Sequence, residues 1–301
     1  MHQFAWKILG AVFKQTGRIS ESITFMDKSV KLNPLDAEAH NNYGATLQEL
    51  GRLEEAEECY TQAIKLKPKY IEAYNNLGNL YKDQEKYKKA ITTFNKVISI
   101  NPNNAEVYYN KGVALKKTGK LQESILMYTK AIELNPEISE FYIHRIDILL
   151  KKNLYIKALS DFDKIISLEP KSNIWFLRRG LLKIKQLKYD EALADINKYI
   201  TFEKNNSLAY RSRGIIYLNL GNFDKACSDL SISNKLNDNK TEKLLKFINS
   251  KNPDICNLTR IKTSNNSNTI IKEENVKELN TKKVCNKNTF VKFGDKESCF
   301  Y

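Results

Sequence analysis

Residues 37–70 read AEAHNNYGATLQELGRLEEAEECYTQAIKLKPKY, and this stretch of 34 residues recurs along most of the chain. Proline marks the period, because five of the six prolines lie 34 residues apart. They are Pro34, Pro68, Pro102, Pro136 and Pro170. Self-similarity at this period predicts an array of helix–turn–helix units that bury their apolar faces against one another.

Two helices are predicted within residues 37–70. Apolar or small residues recur at spacings of three and four in each half, so each helix carries one apolar stripe. Gly51 lies between the stripes, where a helix often ends in a left-handed residue. Pro68 follows the second stripe and cannot continue the helix. Gly44 and Ala56 are small residues on the stripes and allow the two backbones to approach closely.

The same frame divides residues 3–240 into seven units, which are 3–36, 37–70, 71–104, 105–138, 139–172, 173–206 and 207–240. Some units depart from the pattern. Ile146 replaces the first-helix glycine of the fifth unit, Glu85 and Asn153 replace turn glycines, and Lys204 and Asp238 replace the last two prolines. We expect these changes to affect helix crossing angles and helix ends locally, not the fold.

The pattern resembles the tetratricopeptide repeat family over about four fifths of the chain. The resemblance implies an all-α, right-handed superhelical solenoid of about seven repeats whose first helices line a concave groove. Units two to four are also similar to the repeat arrays that precede the catalytic domains of bacterial glycosyltransferases and O-linked N-acetylglucosamine transferases. No sugar-nucleotide domain follows here, so this similarity implies a holding role without transferase activity.

The remaining residues are expected to cap the array and then to lack structure. Residues 241–248 are predicted to form a capping helix, with Thr241 as its amino-terminal cap. Residues 249–301 are rich in asparagine and lysine, which predicts a disordered tail. The amino terminus lacks the features of a signal peptide, and no apolar run approaches the length of a membrane span. We therefore expect a cytoplasmic protein.

The formal net charge is +14, which raises the question of an acidic partner. Nucleic acid or an anionic surface is one interpretation. Solvated lysine faces are the other, and we favour it because no basic cluster is interleaved with exposed aromatic residues. Nucleic acid is therefore not an expected partner. The sequence does not indicate an oligomeric state.

No catalytic or metal-binding constellation is visible in the sequence. The histidines His2, His40 and His144 lie far apart, and there is no Gly-rich phosphate loop, metal-ligand cluster or nucleophile elbow. The five cysteines are odd in number, and no pair has metal or redox spacing. We expect reduced thiols, no cofactor and no enzymatic activity.

By resemblance, the groove is lined by the second, fifth, sixth, ninth, twelfth and thirteenth residues of each unit. Asparagines hold many of these positions in units two to four, namely Asn41, Asn42, Asn75, Asn76, Asn79 and Asn110. One asparagine per repeat holds the sixth position and forms a short ladder, at Asn42, Asn76 and Asn110. Amides both donate to and accept from an extended peptide backbone, and by resemblance the glycosyltransferase arrays of the family hold peptides by such a ladder. The alternative is that asparagine is simply common at this point of the repeat.

Apolar residues hold the corresponding positions in units five to seven. They are Ile143, Leu150, Ile174, Leu177, Leu181, Ile184, Leu208, Ile215 and Leu218. An exposed patch of this size predicts a binding site for an amphipathic helix. Two alternatives stay open, which are occupation by a segment after Asn249 and burial as ordinary packing. Arg178 and Arg211 are also groove residues, and we interpret them first as structural and second as ligand contacts.

Glutamates at the second position of units two to five disfavour recognition of chaperone carboxyl termini, because that clamp needs lysine there. The glutamates are Glu38, Glu72, Glu106 and Glu140. The sequence thus predicts a non-enzymatic protein–protein interaction scaffold that binds a peptide or an amphipathic helix in the groove. The alternative is a substrate- or partner-holding array of a glycosyltransferase system that lacks its own catalytic domain.

Overall fold

The computed structural model describes residues 3–251, Cys256, and residues 290–292 and 297–299. Fifteen helices and two strands lie within these residues. The helices are α1 (Gln3–Gln15), α2 (Ile19–Leu32), α3 (Ala37–Glu49), α4 (Leu53–Leu66), α5 (Ile71–Asp83), α6 (Tyr87–Ile100), α7 (Ala105–Lys117), α8 (Leu121–Leu134), α9 (Ser139–Lys151), α10 (Tyr155–Leu168), α11 (Ile174–Lys185), α12 (Tyr189–Phe202), α13 (Ser207–Asn219), α14 (Phe223–Lys235) and α15 (Asn239–Lys251).

Helices α1 to α14 form seven hairpins, and three residues join the two helices of each. The first helix of the second hairpin begins at Ala37 and that of the third at Ile71, which are the first residues of two predicted units. The predicted all-α solenoid of repeats is confirmed. Strands β1 (Phe290–Lys292) and β2 (Glu297–Cys299) pair antiparallel within the predicted tail, most of which lies outside the described residues.

The chain divides into two compact units, residues 1–161 and residues 162–301. In the first, Leu47, Leu80 and Phe94 belong to one cluster of buried side chains. In the second, Ile184 and Ile196 lie at the centre of another. Each unit therefore buries the apolar stripes of its own helices.

The first helix of a hairpin carries a glycine where the second helix places a large side chain. Gly78 faces Phe94, and a Cβ atom on Gly78 would lie 2.5 Å from the Phe94 ring. The same contact joins Gly112 to Tyr128, sixteen residues further along the chain in both cases. In the fourth repeat, the Ser124 hydroxyl donates a hydrogen bond of 2.7 Å to the backbone carbonyl of Gly112. The missing Cβ atom thus sets the distance between the two helices.

A methyl group at this contact is expected to destabilise the array. Gly78→Ala should lower the free energy of unfolding by about 1–3 kcal/mol, because the added atom overpacks the Phe94 ring. Urea denaturation measures the change. An alanine at Asn95, which is exposed on α6, is the control and should change the free energy by less than about 0.5 kcal/mol. Equal stability of Gly78→Ala and Asn95→Ala would contradict the packing argument.

The turn within every hairpin contains one residue with a positive φ angle. Glycine supplies it in four repeats. Glu85, Asn153 and Leu187 supply it in the other three, with φ angles of 57°, 58° and 61°. The replacements of the turn glycine therefore leave the helix ends unchanged, contrary to the expectation from the sequence. A residue with a Cβ atom costs about 1–2 kcal/mol in this conformation.

Relief of this strain is expected to stabilise the chain. Leu187→Gly should raise the free energy of unfolding by about 0.5–1 kcal/mol, because Leu187 is exposed and its side chain contributes little packing. The shift of the urea midpoint measures it. The reverse change, Gly119→Ala, should lower stability by about 1 kcal/mol, because no atom lies within 4 Å of the added methyl group and only the backbone is strained. A loss of stability in Leu187→Gly would overturn this interpretation.

Helix α15 begins two residues before the predicted capping helix and ends three residues after it. The Asp238 carboxylate accepts hydrogen bonds from the backbone N–H groups of Lys240 and Thr241, at 3.0 and 3.4 Å. Asp238 is therefore the residue that caps the helix, and the prediction that Thr241 does so is wrong. Thr241 lies inside the helix, is buried, and has its hydroxyl 2.7 Å from that of Ser233.

A disulfide bond joins Cys227 of α14 to Cys256, with the two Cα atoms 5.3 Å apart. The expectation of reduced thiols is wrong for this pair. The two cysteines are 29 residues apart, a separation that matches no sequence motif. The pairing could not be predicted from the sequence, because it depends on the chain folding back along α14. Cys59 is a free thiol, and burial raises its pKa to about 11.

Candidate functional site

The first helices of neighbouring repeats contact one another in the unit of residues 1–161. The contacts join α1 to α3, α3 to α5 and α5 to α7. We use the term groove residues for the second, fifth, sixth, ninth, twelfth and thirteenth residues of each repeat. In this unit they form a polar surface that runs across successive first helices.

Asparagine amides join α3 to α5. The side-chain Nδ2 of Asn76 donates to the side-chain Oδ1 of Asn41 at 3.0 Å, and Nδ2 of Asn41 donates to the Glu72 carboxylate at 3.2 Å. Asn41 is only 1% exposed. Its amide therefore satisfies neighbouring side chains and is not available to a ligand in this structure.

A lysine joins α5 to α7 in the same way. Lys82 Nζ donates to the side-chain Oδ1 of Asn110 at 2.9 Å and to the side-chain Oδ1 of Asn79 at 3.4 Å. Asn110 is buried, whereas Asn79 is half-buried. The ladder predicted at the sixth position is therefore uneven, since Asn42 and Asn76 are half-buried and Asn110 is not accessible.

Three second-position glutamates, Glu38, Glu72 and Glu140, accept a hydrogen bond from the fifth residue of the preceding repeat. Lys7 donates to Glu38 at 2.8 Å, and the Tyr109 hydroxyl donates to Glu140 at 2.5 Å. Asn41 and Glu72 make the equivalent contact. Burial raises the pKa of Tyr109, and the bond to Glu140 raises it further. We did not predict this series, although its spacing of 31 residues is visible in the sequence.

Two of the nine apolar groove residues are buried, so the structure exposes the predicted patch only in part. Leu177 and Ile184 are 4% and 0% exposed and belong to the core of the second unit. Ile174, Leu181 and Leu208 pack against this core. The other four, Ile143, Leu150, Ile215 and Leu218, are half-buried.

The physical reason lies in the contact between first helices. The contact of α11 with α13 accounts for the burial of the fifth and twelfth residues of the sixth repeat, Leu177 and Ile184, because side chains there lie between the two helices. Of the interpretations that the sequence left open, ordinary packing agrees with these positions.

The two arginines named as groove residues have different surroundings. Arg211 is buried and forms an ion pair with Asp238, next to the cap of α15. Arg178 is exposed, and its guanidinium lies 5.1 Å from the centre of the Trp175 ring. Arg211 is therefore structural, whereas Arg178 is open to solvent.

Three other arginines form a repeated clamp that the sequence analysis missed. Arg145, Arg179 and Arg213 are each the seventh residue of a repeat, and each binds an aspartate sixteen residues later through two nitrogens at 2.5–2.9 Å. The aspartates are Asp161, Asp195 and Asp229.

Each of these arginines also donates to the second helix of the preceding repeat. The acceptors are Thr129, Asp163 and Asn197, at 2.6–2.9 Å. The hydrogen bond to Asp195 is the main reason that the pKa of Arg179 is raised. The clamp thus ties both helices of its own hairpin to the hairpin before it.

The second and third repeats hold the same two positions without charge. Tyr43 and Cys59 occupy them in the second repeat, and Leu77 and Thr93 in the third. The same two positions therefore hold uncharged side chains in the second and third repeats and arginine–aspartate pairs in the last three. The joint change at positions sixteen residues apart is the signal that would have revealed the clamp.

A double substitution tests the clamp. Asp229→Thr alone should lower the free energy of unfolding by about 3 kcal/mol, because the half-buried guanidinium of Arg213 loses its paired carboxylate and keeps only the neutral hydrogen bond to Asn197 among those described. Arg213→Leu with Asp229→Thr copies the third repeat and should restore at least half of that loss. Urea denaturation of both variants measures the difference. Equal destabilisation by the single and double changes would show that the unpaired charge is not the cause.

Two features of the described residues bear on metal binding and on membrane insertion. Among them, no group of three or more histidine, cysteine, aspartate or glutamate side chains is arranged to hold a metal ion. No described helix is both long and apolar enough to cross a membrane. His40 Nε2 lies 2.9 Å from the Pro34 carbonyl oxygen, in the turn that leads into α3.

Sequence models of the tetratricopeptide repeat match residues 25–58, 46–84, 78–119 and 105–138. Residues 25–138 of this chain are tetratricopeptide repeats. The matched residues cover α3 to α8 completely, which are the helices of the three most regular repeats. A tetratricopeptide repeat fold suggests a protein-interaction scaffold. A comparison with curated proteins finds no match.

Solved structures of tetratricopeptide repeat proteins resemble the chain. YrrB, described as a TPR protein with an unusual peptide-binding site, is 26% identical with a TM-score of 0.53, over 61% of this chain and 95% of YrrB. A repeat protein from Parabacteroides merdae is 23% identical with a TM-score of 0.54, over 81% and 97% of the two chains. MamA from Desulfovibrio magneticus RS-1 is 22% identical with a TM-score of 0.53, over 56% and 96%. The last two likenesses show the fold.

Proposed function

We propose that this protein is a non-enzymatic interaction scaffold that holds an extended peptide on the groove residues of α3, α5 and α7. The observation that carries the proposal is the set of hydrogen bonds that tie these three helices together through groove residues. Asn41, Asn76 and Lys82 are each held by a partner on the next or preceding first helix. A surface ordered before binding loses less conformational entropy when a ligand arrives.

Two amides are among the polar groups left for a ligand. Asn42 and Asn79 are half-buried groove residues on α3 and α5, beside the bonded network. An amide offers two donors and an acceptor, which suits the alternating N–H and C=O groups of an extended backbone. The similarity to YrrB, which is described as having a peptide-binding site, supports the same ligand class.

An amphipathic helix fits the described surface less well than a peptide. The apolar groove residues that would receive it are buried or half-buried, and Leu177 and Ile184 already belong to the core of their unit. The glycosyltransferase alternative, in which the array holds substrates for a separate catalytic chain, stays a prediction.

A peptide library tests the proposal. The full chain is immobilised and a random library of extended peptides is selected on it, after which fluorescence anisotropy gives the Kd of the enriched peptides. Asn42→Ala with Asn79→Ala should weaken binding by about tenfold or more, because two hydrogen bonds of about 1 kcal/mol each are removed.

The matched control is Asn95→Ala with Asn103→Ala, since both residues are exposed and lie outside the first helices. This variant should bind the selected peptides as the unchanged chain does. Failure to enrich any peptide, or equal affinities of the groove and control variants, would remove the groove of α3, α5 and α7 as the binding site.

A further inference from the structure

Helix α15 is attached to the last hairpin at two separate places. Near its amino end, the Thr241 hydroxyl lies 2.7 Å from that of Ser233, which in turn donates to the Ser207 carbonyl at 2.9 Å. Asp238, which caps the helix, pairs with the buried Arg211 of α13. These contacts anchor the start of α15 to both helices of the seventh repeat.

The second attachment is covalent and lies beyond the other end of the helix. Cys256 follows the last residue of α15 by five positions and is bonded to Cys227 of α14. Cys227 is 2% exposed, whereas Cys256 is half-buried. Between the two attachments lie the apolar residues of α15, of which Ile248 is buried and Leu244 and Leu245 are half-buried.

We propose that the Cys227–Cys256 bond is a redox-operated latch that keeps the carboxyl-terminal half of α15 on the last hairpin. This inference is independent of peptide binding in the groove, because it concerns other helices. The reductant is a dithiol of the class that cells use for protein disulfides. Its thiolate attacks the sulfur of Cys256, which is the more accessible of the two residues, and forms a mixed disulfide while Cys227 leaves as a thiolate that takes up a proton.

The second thiol of the reductant then displaces Cys256, which also takes up a proton. The chain ends with two thiols and the reductant with one disulfide, so two electrons pass to this protein. No other bond changes. Reoxidation by a disulfide such as oxidised glutathione reverses the exchange.

The latch matters because the second half of α15 is otherwise held by the packing of its apolar side chains, of which Ile248 is buried. A helix of 13 residues is marginal on its own in water. The disulfide closes a segment of 29 residues and so removes many of the open conformations. Once the bond is reduced, the helix keeps its amino-terminal anchor and opens from the other end, which brings Leu244, Leu245 and Ile248 into solvent.

Hydrogen exchange on a full chain that carries Cys59→Ser, Cys285→Ser and Cys299→Ser tests the latch, because only the proposed pair then remains. The chain is treated with oxidised glutathione or with dithiothreitol, and mass spectrometry follows both thiol labelling and amide exchange. Reduction should speed exchange in residues 245–251 by about 100-fold or more. Exchange in α13 and α14 should change by less than about threefold. Adding Cys256→Ser should give the fast exchange under both conditions.

Three results would overturn the latch. One is thiol labelling of both cysteines after treatment with oxidised glutathione, which would show that the bond does not form. Another is equal exchange of residues 245–251 in the oxidised and reduced chains, which would show that the bond does not hold the helix. Exchange that rises along the whole of α13 and α14 on reduction would also overturn it, because the disulfide would then stabilise the hairpin as a whole.

Discussion

The close approach of the two helices in each hairpin is the constraint on which the other features depend. Where glycine lies on the first helix, the large side chain sixteen residues later packs directly on its backbone, as Phe94 does on Gly78. This distance places the seventh residue of the first helix opposite the twenty-third residue of the repeat. It also leaves a turn of three residues, which closes only if one residue adopts a positive φ angle. Glu85 and Leu187 accept that backbone strain, so hairpin geometry prevails over local preference.

One geometry is thus stabilised by two kinds of chemistry. In the second and third repeats the paired positions hold uncharged residues, whereas Arg145, Arg179 and Arg213 each bind an aspartate at the same place. A bidentate arginine–carboxylate pair is directional, and a third donor reaches the preceding hairpin. Such a clamp fixes the stacking of one hairpin on another as well as the hairpin itself. The cost is that neither partner can be lost alone.

Contacts between repeats also shape the surface of the first helices. Polar residues that looked available for a ligand, such as Asn41 and Asn110, instead bond to neighbouring repeats. The amides that remain accessible, Asn42 and Asn79, lie beside these bonded residues. A scaffold of this kind gains affinity from preorganisation more than from the number of contacts. The disulfide at Cys227 applies a comparable restraint to the end of the array, in a form that a reductant can remove.

The sequence by itself determined the repeat, the hairpins and the places where helices begin, because each follows from local spacing of apolar residues, glycines and prolines. The family resemblance rests on the same local signals. Tertiary structure alone decided which groove residues stay accessible, since Leu177 and Asn41 become buried only when a neighbouring first helix packs beside them. It also decided the pairing of Cys227 with Cys256, because residues far apart in the chain meet only after α15 folds back. Contacts between repeats depend on the packing of whole helices, and that packing cannot be read from one repeat.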